Sequence, residues 1–158
     1  MTVAGANRYV KAVLWDMDGT LMNSQPIWDE SFRRRCQERG GTVTPEQVAG
    51  IAGASIARTR EIIAETGATE SPEDPATAEV FARIAADVGE AVRADPPILP
   101  GARRITSMLS EIGLAQVIVT QSPRPIVESV AHALGDVFVE LVTGDDGLPG
   151  KPTPAPYA

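Results

Sequence analysis

The chain has 158 residues, 43% of them hydrophobic and 22% charged, with a formal net charge of −7 at pH 7. That length supports one hydrophobic core, or one core with a small satellite, and the acidic balance argues against a nucleic-acid partner, which calls for a basic surface. No apolar run approaches the roughly 20 residues of a bilayer span, and residues 1–9 carry no basic stretch leading into an apolar one, so neither a membrane span nor a secretory signal is expected and the cytoplasm is the expected location.

The first element is the near-continuous apolar run Val10 to Trp15, with one lysine in it, which reads as a parallel strand buried on both faces. No strand signal follows until about residue 116. Pro26 opens a helix that runs to about Arg39 and ends at Gly40-Gly41. Within it, Arg33-Arg34-Arg35 reads as a solvated face and Cys36 as a helix-packing thiol. A lone cysteine excludes an internal disulfide and a thiolate zinc site, and fits a reducing compartment. Thr44-Pro45-Glu46-Gln47 is a capping box with proline at the first helical position, starting a short helix that stops near Gly50. Ser55 to Thr66 forms a third helix. Asp74-Pro75 caps a fourth, in which Ala78, Phe81, Ile84, Ala85, Val88 and Val92 recur at helical spacing. A stretch of this length is too long for a loop, so residues 22–95 read as a small helical domain inserted into a sheet domain, with Asp95-Pro96-Pro97 as its exit hinge.

After the hinge, strands and helices alternate. Gly101 to Ile112 is amphipathic, with Ala102, Ile105, Met108, Leu109 and Ile112 on one face, and Gly113 closes it. Gln116 to Thr120 is a second strand, Pro125 begins a helix through Leu134, and Val137 to Thr143 is a third strand. His132 lies on that helix and reads as structural. Thr120-Gln121-Ser122 feeds a helix N-terminus, where unpaired N–H groups favour an anion. Asp145-Asp146-Gly147 then turns the chain toward Gly150-Lys151-Pro152.

The chemistry concentrates where these strands end. Asp16 and Asp18 lie two residues apart directly after the first strand, so on extended backbone their carboxylates share one face. Two hard oxygen ligands beside a turn at Gly19 suit Mg²⁺, which takes a few carboxylates together with substrate phosphate, and one of the two carboxylates is placed to attack phosphorus. Strand-end carboxylates, the strand-end hydroxyl of Thr120 and the loop amine of Lys151 would surround one phosphate in the crevice at the carboxyl ends of a parallel sheet.

DMDGTL at 16–21, VIVTQSPR at 117–124 and GKPTPAPY at 150–157 resemble the first three motifs of the haloacid dehalogenase superfamily in order and approximate spacing. The helical insert resembles the cap of the subgroup that contains phosphoglycolate phosphatases, sugar-phosphate phosphatases and β-phosphoglucomutases. The fold so implied is α/β: a Rossmann-like parallel sheet core, residues 1–21 and 96–158, with an inserted α-helical cap, residues 22–95. The resemblance implies Asp16 as the nucleophile that forms an aspartyl-phosphate, and Asp18 as general acid and base. It implies Mg²⁺ on the carboxylates of Asp16 and Asp18 and on the Met17 backbone carbonyl. Thr120 and the Gln121 amide would hold phosphate oxygens, and Lys151 would neutralise charge on nucleophile and phosphoryl group. Trp28, Gly53, Ser55 and Arg58 are the cap residues expected to meet a small phosphorylated metabolite.

Departures from the family pattern narrow the chemistry. Asp18 points to phosphoryl transfer rather than dehalogenation. The only lysines are Lys11 and Lys151, so a cap lysine for Schiff-base chemistry is lacking. Trp28 stands where related mutases carry a histidine, which favours a Mg²⁺-dependent phosphatase acting on a sugar phosphate or phosphoglycolate over a phosphosugar mutase. A fourth acidic motif, which completes the family's metal site on a further strand, is missing, so the core is expected to be incomplete at its C-terminal side and the first strand to be an open edge able to self-associate. A truncated form of a longer protein is the preferred reading, beside a strand supplied by a partner or a non-catalytic phosphate-binding protein.

Overall fold

The computed structural model describes residues 10–158. Three parallel strands form the sheet: β1 (Ala12–Trp15), β2 (Ala115–Val119) and β3 (Glu140–Val142), in the order β1-β2-β3. Leu14 is in register with Val117, and Val117 in turn with Glu140, so the three C-terminal ends open on one side. Four helices intervene between β1 and the hinge: α1 (Gln25–Glu38), α2 (Pro45–Gly50), α3 (Ile56–Glu65) and α4 (Pro75–Ala94). Beyond it lie α5 (Ala102–Glu111) before β2 and α6 (Arg124–Ala133) before β3.

The local signals act as their chemistry dictates. Thr44 accepts from the Gln47 N–H at 3.3 Å while the Gln47 side chain accepts from the Thr44 N–H at 2.9 Å, a closed capping box with Pro45 inside it. Ser55 caps α3 by accepting from Arg58 N, and Asp74 caps α4 by accepting from Ala76 N. Gly40 takes φ +81° just past α1, a left-handed stop that residues with a Cβ resist.

Two hydrophobic clusters result. One gathers Phe32, Cys36, Val48, Ile62, Ile63, Val80 and Ile84 from α1–α4. The other gathers Met17, Leu21, Met22, Ile118, Ile126, Val127, Val130 and Leu134 around the sheet. Helix α4 serves both: its first half packs Val80 and Ile84 into the helical cluster, and its second half sends Val88 and Val92 into the sheet cluster. Gly89 is where α4 meets α6, since a Cβ there would lie 3.7 Å from Ile126 Cγ1. The crossing between the two regions is a backbone pair: Asn23 N–H donates to the Pro97 carbonyl at 2.8 Å, beside an antiparallel bridge between Met22 and Ile98.

Four expectations need correction. β1 begins at Ala12, with Val10 exposed, and it is not buried on both faces: Leu14 is 47% exposed, because β1 is an edge of the described sheet and no described element covers that side chain. In α5 the apolar stripe is turned outward, Ile105, Met108 and Ile112 being 46–55% exposed, while Ala102 and Thr106 face inward. That orientation is held by the buried Gln116 amide, which donates to the Thr106 carbonyl at 2.8 Å and accepts from Trp15 Nε1 at 3.1 Å. β3 is shorter than 137–143, since Gly135 and Asp136 both take positive φ and Val139 remains outside the ladder except for one bond to the Gln116 carbonyl. Ala78, expected on the inner face of α4, is exposed.

Candidate active site

The first strand delivers its two carboxylates to the open side of the sheet, and a turn then fixes them. Gly19 adopts φ +80°, and the Met17 carbonyl accepts the N–H groups of Thr20, Leu21 and Met22 at 3.1, 2.9 and 3.2 Å. This corrects one expectation: the Met17 carbonyl is occupied by the turn and is not placed as a metal ligand. The Asp18 carbonyl accepts no hydrogen bond among the described residues.

Asp18 sits in a cradle of hydroxyls. Its Oδ2 accepts from Ser122 Oγ at 2.7 Å and from Thr120 Oγ1 at 3.2 Å, and its Oδ1 accepts from Ser24 Oγ. Thr120 and Ser122 are set by backbone: Thr120 N–H donates to the Val142 carbonyl at 2.9 Å, and Ser122 N–H to Thr120 Oγ1 at 3.1 Å. Ser24 stands at the N-cap of α1 but makes no capping bond, its hydroxyl serving Asp18 instead. The sequence reading missed Ser24 for that reason, since serine before Gln-Pro signals a cap.

Lys151 Nζ reaches Asp16 Oδ1 at 2.6 Å across the crevice, and the amine lies 6.0 Å from the Tyr157 ring centroid. The loop that carries Lys151 is clamped to the end of β2. Gly144 N–H donates to the Ser122 carbonyl at 3.0 Å, and a Cβ on Gly144 would fall 2.0 Å from the Gln121 carbonyl oxygen. A Cβ on Gly150 would fall 2.8 Å from the Gln121 side-chain amide, so Gln121 is wedged between both ends of the loop. Arg124 ties the same loop to α6: its Nη2 pairs with Asp146 Oδ1 at 2.6 Å and its N–H donates to Asp145 Oδ1 at 3.1 Å. Desolvation alone would raise Asp146, but the hydrogen bonds from Arg124 and Thr143 outweigh it and hold the carboxyl below its ordinary range.

These bonds alter the expected anion site at α6. Its first turn has no free donor to offer: Arg124 N–H is engaged by Asp145, Pro125 has none, and Ile126 and Val127 donate to the Pro123 carbonyl. The donors beside Asp16 and Asp18 are the Thr120 and Ser122 hydroxyls and the Lys151 amine, and the Gln121 N–H donates to no backbone acceptor among the described residues.

A crevice between the helical region and the sheet is lined by Asp18, Gln25, Trp28, Gly53, Thr59, Phe81, Gln121 and Ser122. Of the cap candidates, Trp28 and Gly53 line it. Ser55 and Arg58 do not: Ser55 caps α3, and Arg58 is held by Glu61 and Glu65 at 2.7 and 2.8 Å, pairs that raise its pKa. Gln25, Thr59 and Phe81 were missed, because each looks like ordinary helix surface or core until α1, α3 and α4 are brought over the strand ends. His132 is exposed and pairs with Asp136 at 3.0 Å on α6, outside the lining of this crevice.

Among the described residues no three His, Cys, Asp or Glu side chains cluster as a metal site. The Asp18 carboxylate, expected as a second metal ligand, is taken up by three hydroxyls, which leaves the Asp16 carboxylate, 49% exposed, and the unbonded Asp18 carbonyl as oxygens open to a hard cation; so few protein ligands fit Mg²⁺ held largely by water and substrate phosphate. No helix among the described residues is long and apolar enough to cross a membrane.

A parallel sheet whose strand ends carry two aspartates and a hydroxyl, with a lysine brought onto them by the following loop, defines a phosphoryl-transfer class of α/β hydrolase. Residues 10–158 match the family model "haloacid dehalogenase-like hydrolase", and the chain belongs to that family. It is 27% identical over 154 residues to hexitol phosphatase B of Escherichia coli, covering 95% of this chain and 68% of that protein. It is 30% identical over 153 residues to validoxylamine A 7'-phosphate phosphatase of Streptomyces hygroscopicus, covering 94% and 68%, and 28% identical over 154 residues to a phosphoglycolate phosphatase of Rhodospirillum rubrum, covering 92% and 63%. The chain thus spans about two thirds of the length of these relatives. Among solved structures, β-phosphoglucomutase of Clostridium difficile superposes with a TM-score of 0.77 at 16% identity, covering 94% of this chain and 68% of that one. CbbY of Rhodobacter sphaeroides in complex with phosphate gives 0.74 at 20% identity, covering 94% and 69%. These two likenesses show the shared fold.

Proposed function

We propose that the protein is a phosphatase that hydrolyses a small phosphate monoester through an aspartyl-phosphate on Asp16. The observation that carries this reading is the meeting of two strand ends with the loop after β3: Lys151 Nζ 2.6 Å from Asp16 Oδ1, beside an Asp18 carboxylate held by Thr120, Ser122 and Ser24. Residues 22–95 act as a cap over a core formed by 10–21 and 96–158, residues 1–9 of the expected core lying outside the described ones, and the protein works in the cytoplasm.

An Asp16 oxygen attacks phosphorus as the ester P–O bond breaks, and protonated Asp18 gives its proton to the departing alkoxide. Ionised Asp18 then takes a proton from water, which attacks the same phosphorus, releases inorganic phosphate and regenerates Asp16. Asp18 accepts three hydroxyls in the present arrangement, so it reaches the leaving oxygen by exchanging one of those partners for substrate. Lys151 meets the negative charge that builds on the phosphoryl oxygens, with the Thr120 hydroxyl and the Gln121 N–H beside it. The Asp16 carboxylate and the Asp18 carbonyl would hold Mg²⁺, which would supply further neutralisation of phosphate charge. A phosphatase is favoured over a mutase because Trp28, lining the crevice, has no proton to exchange at neutral pH.

Asp16→Asn in the full protein tests the reading. The amide is near-isosteric and a poor nucleophile, so phosphate release in Mg²⁺ should fall below about 1% of wild type while the thermal melt stays within a few degrees of it. Activity above that level would remove Asp16 from its role.

A further inference from the structure

The crevice and the groove beside it set what kind of alcohol the ester carries, an inference that rests on the phosphatase reading above. The crevice has about 40 Å³ free, room for a few water molecules, so the alcohol portion of any larger ester has to run out of it. A wider groove of about 660 Å³ adjoins it between α4 and the start of α6. Ile56, Phe81 and Pro123 line both spaces, which therefore meet over these three side chains. The wall that residues 22–95 give the crevice is mostly apolar, with Trp28, Ile51, Ala54, Ile56 and Phe81. Its polar members are partly spent: Gln25 donates its amide to Asp29 at 2.6 Å, and Thr59 its hydroxyl to the Ser55 carbonyl at 3.1 Å. The Trp28 N–H and the Gln121 side-chain amide stay open among the described residues, enough for the oxygens of the ester itself and not for a ring of hydroxyls.

We infer that the alcohol portion is apolar and elongated, in its simplest form a straight alkyl chain, which leaves the crevice over Phe81 and lies along α4. The groove suits such a chain throughout its near half, where Ala82, Ala85 and Ala86 of α4 and Pro125 and Ile126 of α6 offer no polar side-chain atom. Its charged members, Glu90, Arg93 and Asp145, are all exposed. Glu90 and Arg93 lie about 14 and 18 Å along the helix from Phe81, and the Asp145 carboxylate already accepts from Arg124 N–H and Thr143 Oγ1. The volume is that of a small-molecule site, and the groove opens from the crevice itself, which favours an extension of the substrate over a segment of another protein. Each CH₂ group taken from water into such a surface is worth about three- to fourfold in affinity.

The test is a series of ethyl, butyl, hexyl and octyl phosphates below their micelle concentrations, with the full protein in Mg²⁺ and p-nitrophenyl phosphate as a generic ester. From ethyl to octyl, kcat/KM should climb by about 30-fold or more. Octylphosphonate, which has no ester bond to cleave, should lead ethylphosphonate in Kd by a similar factor. Ala86→Asp, which puts a carboxylate into the groove from an exposed helical position, should bring both ratios below about five. A flat series with p-nitrophenyl phosphate still hydrolysed, or an octyl lead that Ala86→Asp leaves intact, would overturn this inference alone. A flat series together with a dimer in sedimentation that Ala86→Asp dissociates would assign the groove to a second copy of the chain instead. No hydrolysis of any ester would overturn the phosphatase reading beneath it, while the phosphonate affinities would still decide whether the groove takes the chain.

Discussion

Replacing Lys151 by methionine separates what its ion pair does for the fold from what it does for the reaction. The Asp16 carboxylate is 49% exposed and the Lys151 side chain 22% exposed, so despite the 2.6 Å contact their attraction is screened and stabilises the folded state by about 1 kcal/mol at most. For a protein of this size that corresponds to a shift of roughly 2–4 °C in Tm. The reaction places a different demand on the same amine. As phosphorus moves onto Asp16, negative charge gathers on oxygens within reach of Nζ, in a crevice emptied of bulk water by substrate, and losing such a donor typically costs about 10²–10³ in kcat. Lys151→Met should therefore melt within a few degrees of wild type and release phosphate at least about a hundredfold more slowly. Stopped-flow phosphate release beside a circular-dichroism melt reads both. A kcat within a factor of about ten of wild type, or a loss of rate that only tracks unfolding, would refute the assignment of Lys151 to the transition state.

Gly144→Val should displace the lysine loop without touching any ionisable group, since even a Cβ there falls 2.0 Å from the Gln121 carbonyl oxygen; kcat should drop more than tenfold with a destabilisation of roughly 1–3 kcal/mol, and a fully active variant would show that the loop relaxes freely. Asp87 is held below the usual carboxylate range chiefly by the hydrogen bond from Arg35, with Ser31 and Arg34 adding to it against the cost of burial. Because the folded-state pKa is the lower one, the stabilisation is complete above the unfolded value near pH 4 and is lost as pH falls through the acid range, so Asp87→Asn should flatten the acid limb of a Tm-against-pH curve; an unchanged limb would exclude this pair as its source. Closure of residues 22–95 over the strand ends should appear as a change in small-angle scattering on adding a phosphate analogue, limited by the seat of Val88 and Val92 against α6; identical profiles with and without the analogue would exclude gating.

What was legible in the sequence is what depends on neighbours in the chain. The caps at Thr44, Ser55 and Asp74 obey rules that span three residues or fewer, so these were readable directly. The meeting of Lys151 with Asp16 was reachable only through strand order, because 135 positions separate them. What could not be read depended on which of two competing partners a group would take. Ser24 had a helix to cap and a carboxylate to serve, and the carboxylate, a stronger acceptor, took its hydroxyl. Arg58 had a crevice within a helical turn and two glutamates on its own helix, and the glutamates at i+3 and i+7 took it. The Met17 carbonyl was assigned to a cation on motif alone, whereas the turn that Gly19 permits directs three N–H groups onto it. The outward stripe of α5 shows the same limit: periodicity identifies an apolar face but not whether a described element covers it.

Trp28 gives this molecule a built-in optical reporter. Of its two tryptophans, Trp15 is fastened below the sheet cluster by its bond to Gln116, while Trp28 touches both hydrophobic clusters and forms part of the crevice wall. The two indoles should therefore emit differently: one from a fixed polar contact, the other from a surface whose wetting changes when an ester enters or when α1 shifts over the strand ends. A Trp15→Phe background would leave Trp28 as the single emitter, and its wavelength and quenching by iodide would then follow occupancy and cap position in real time, without a label and without turnover.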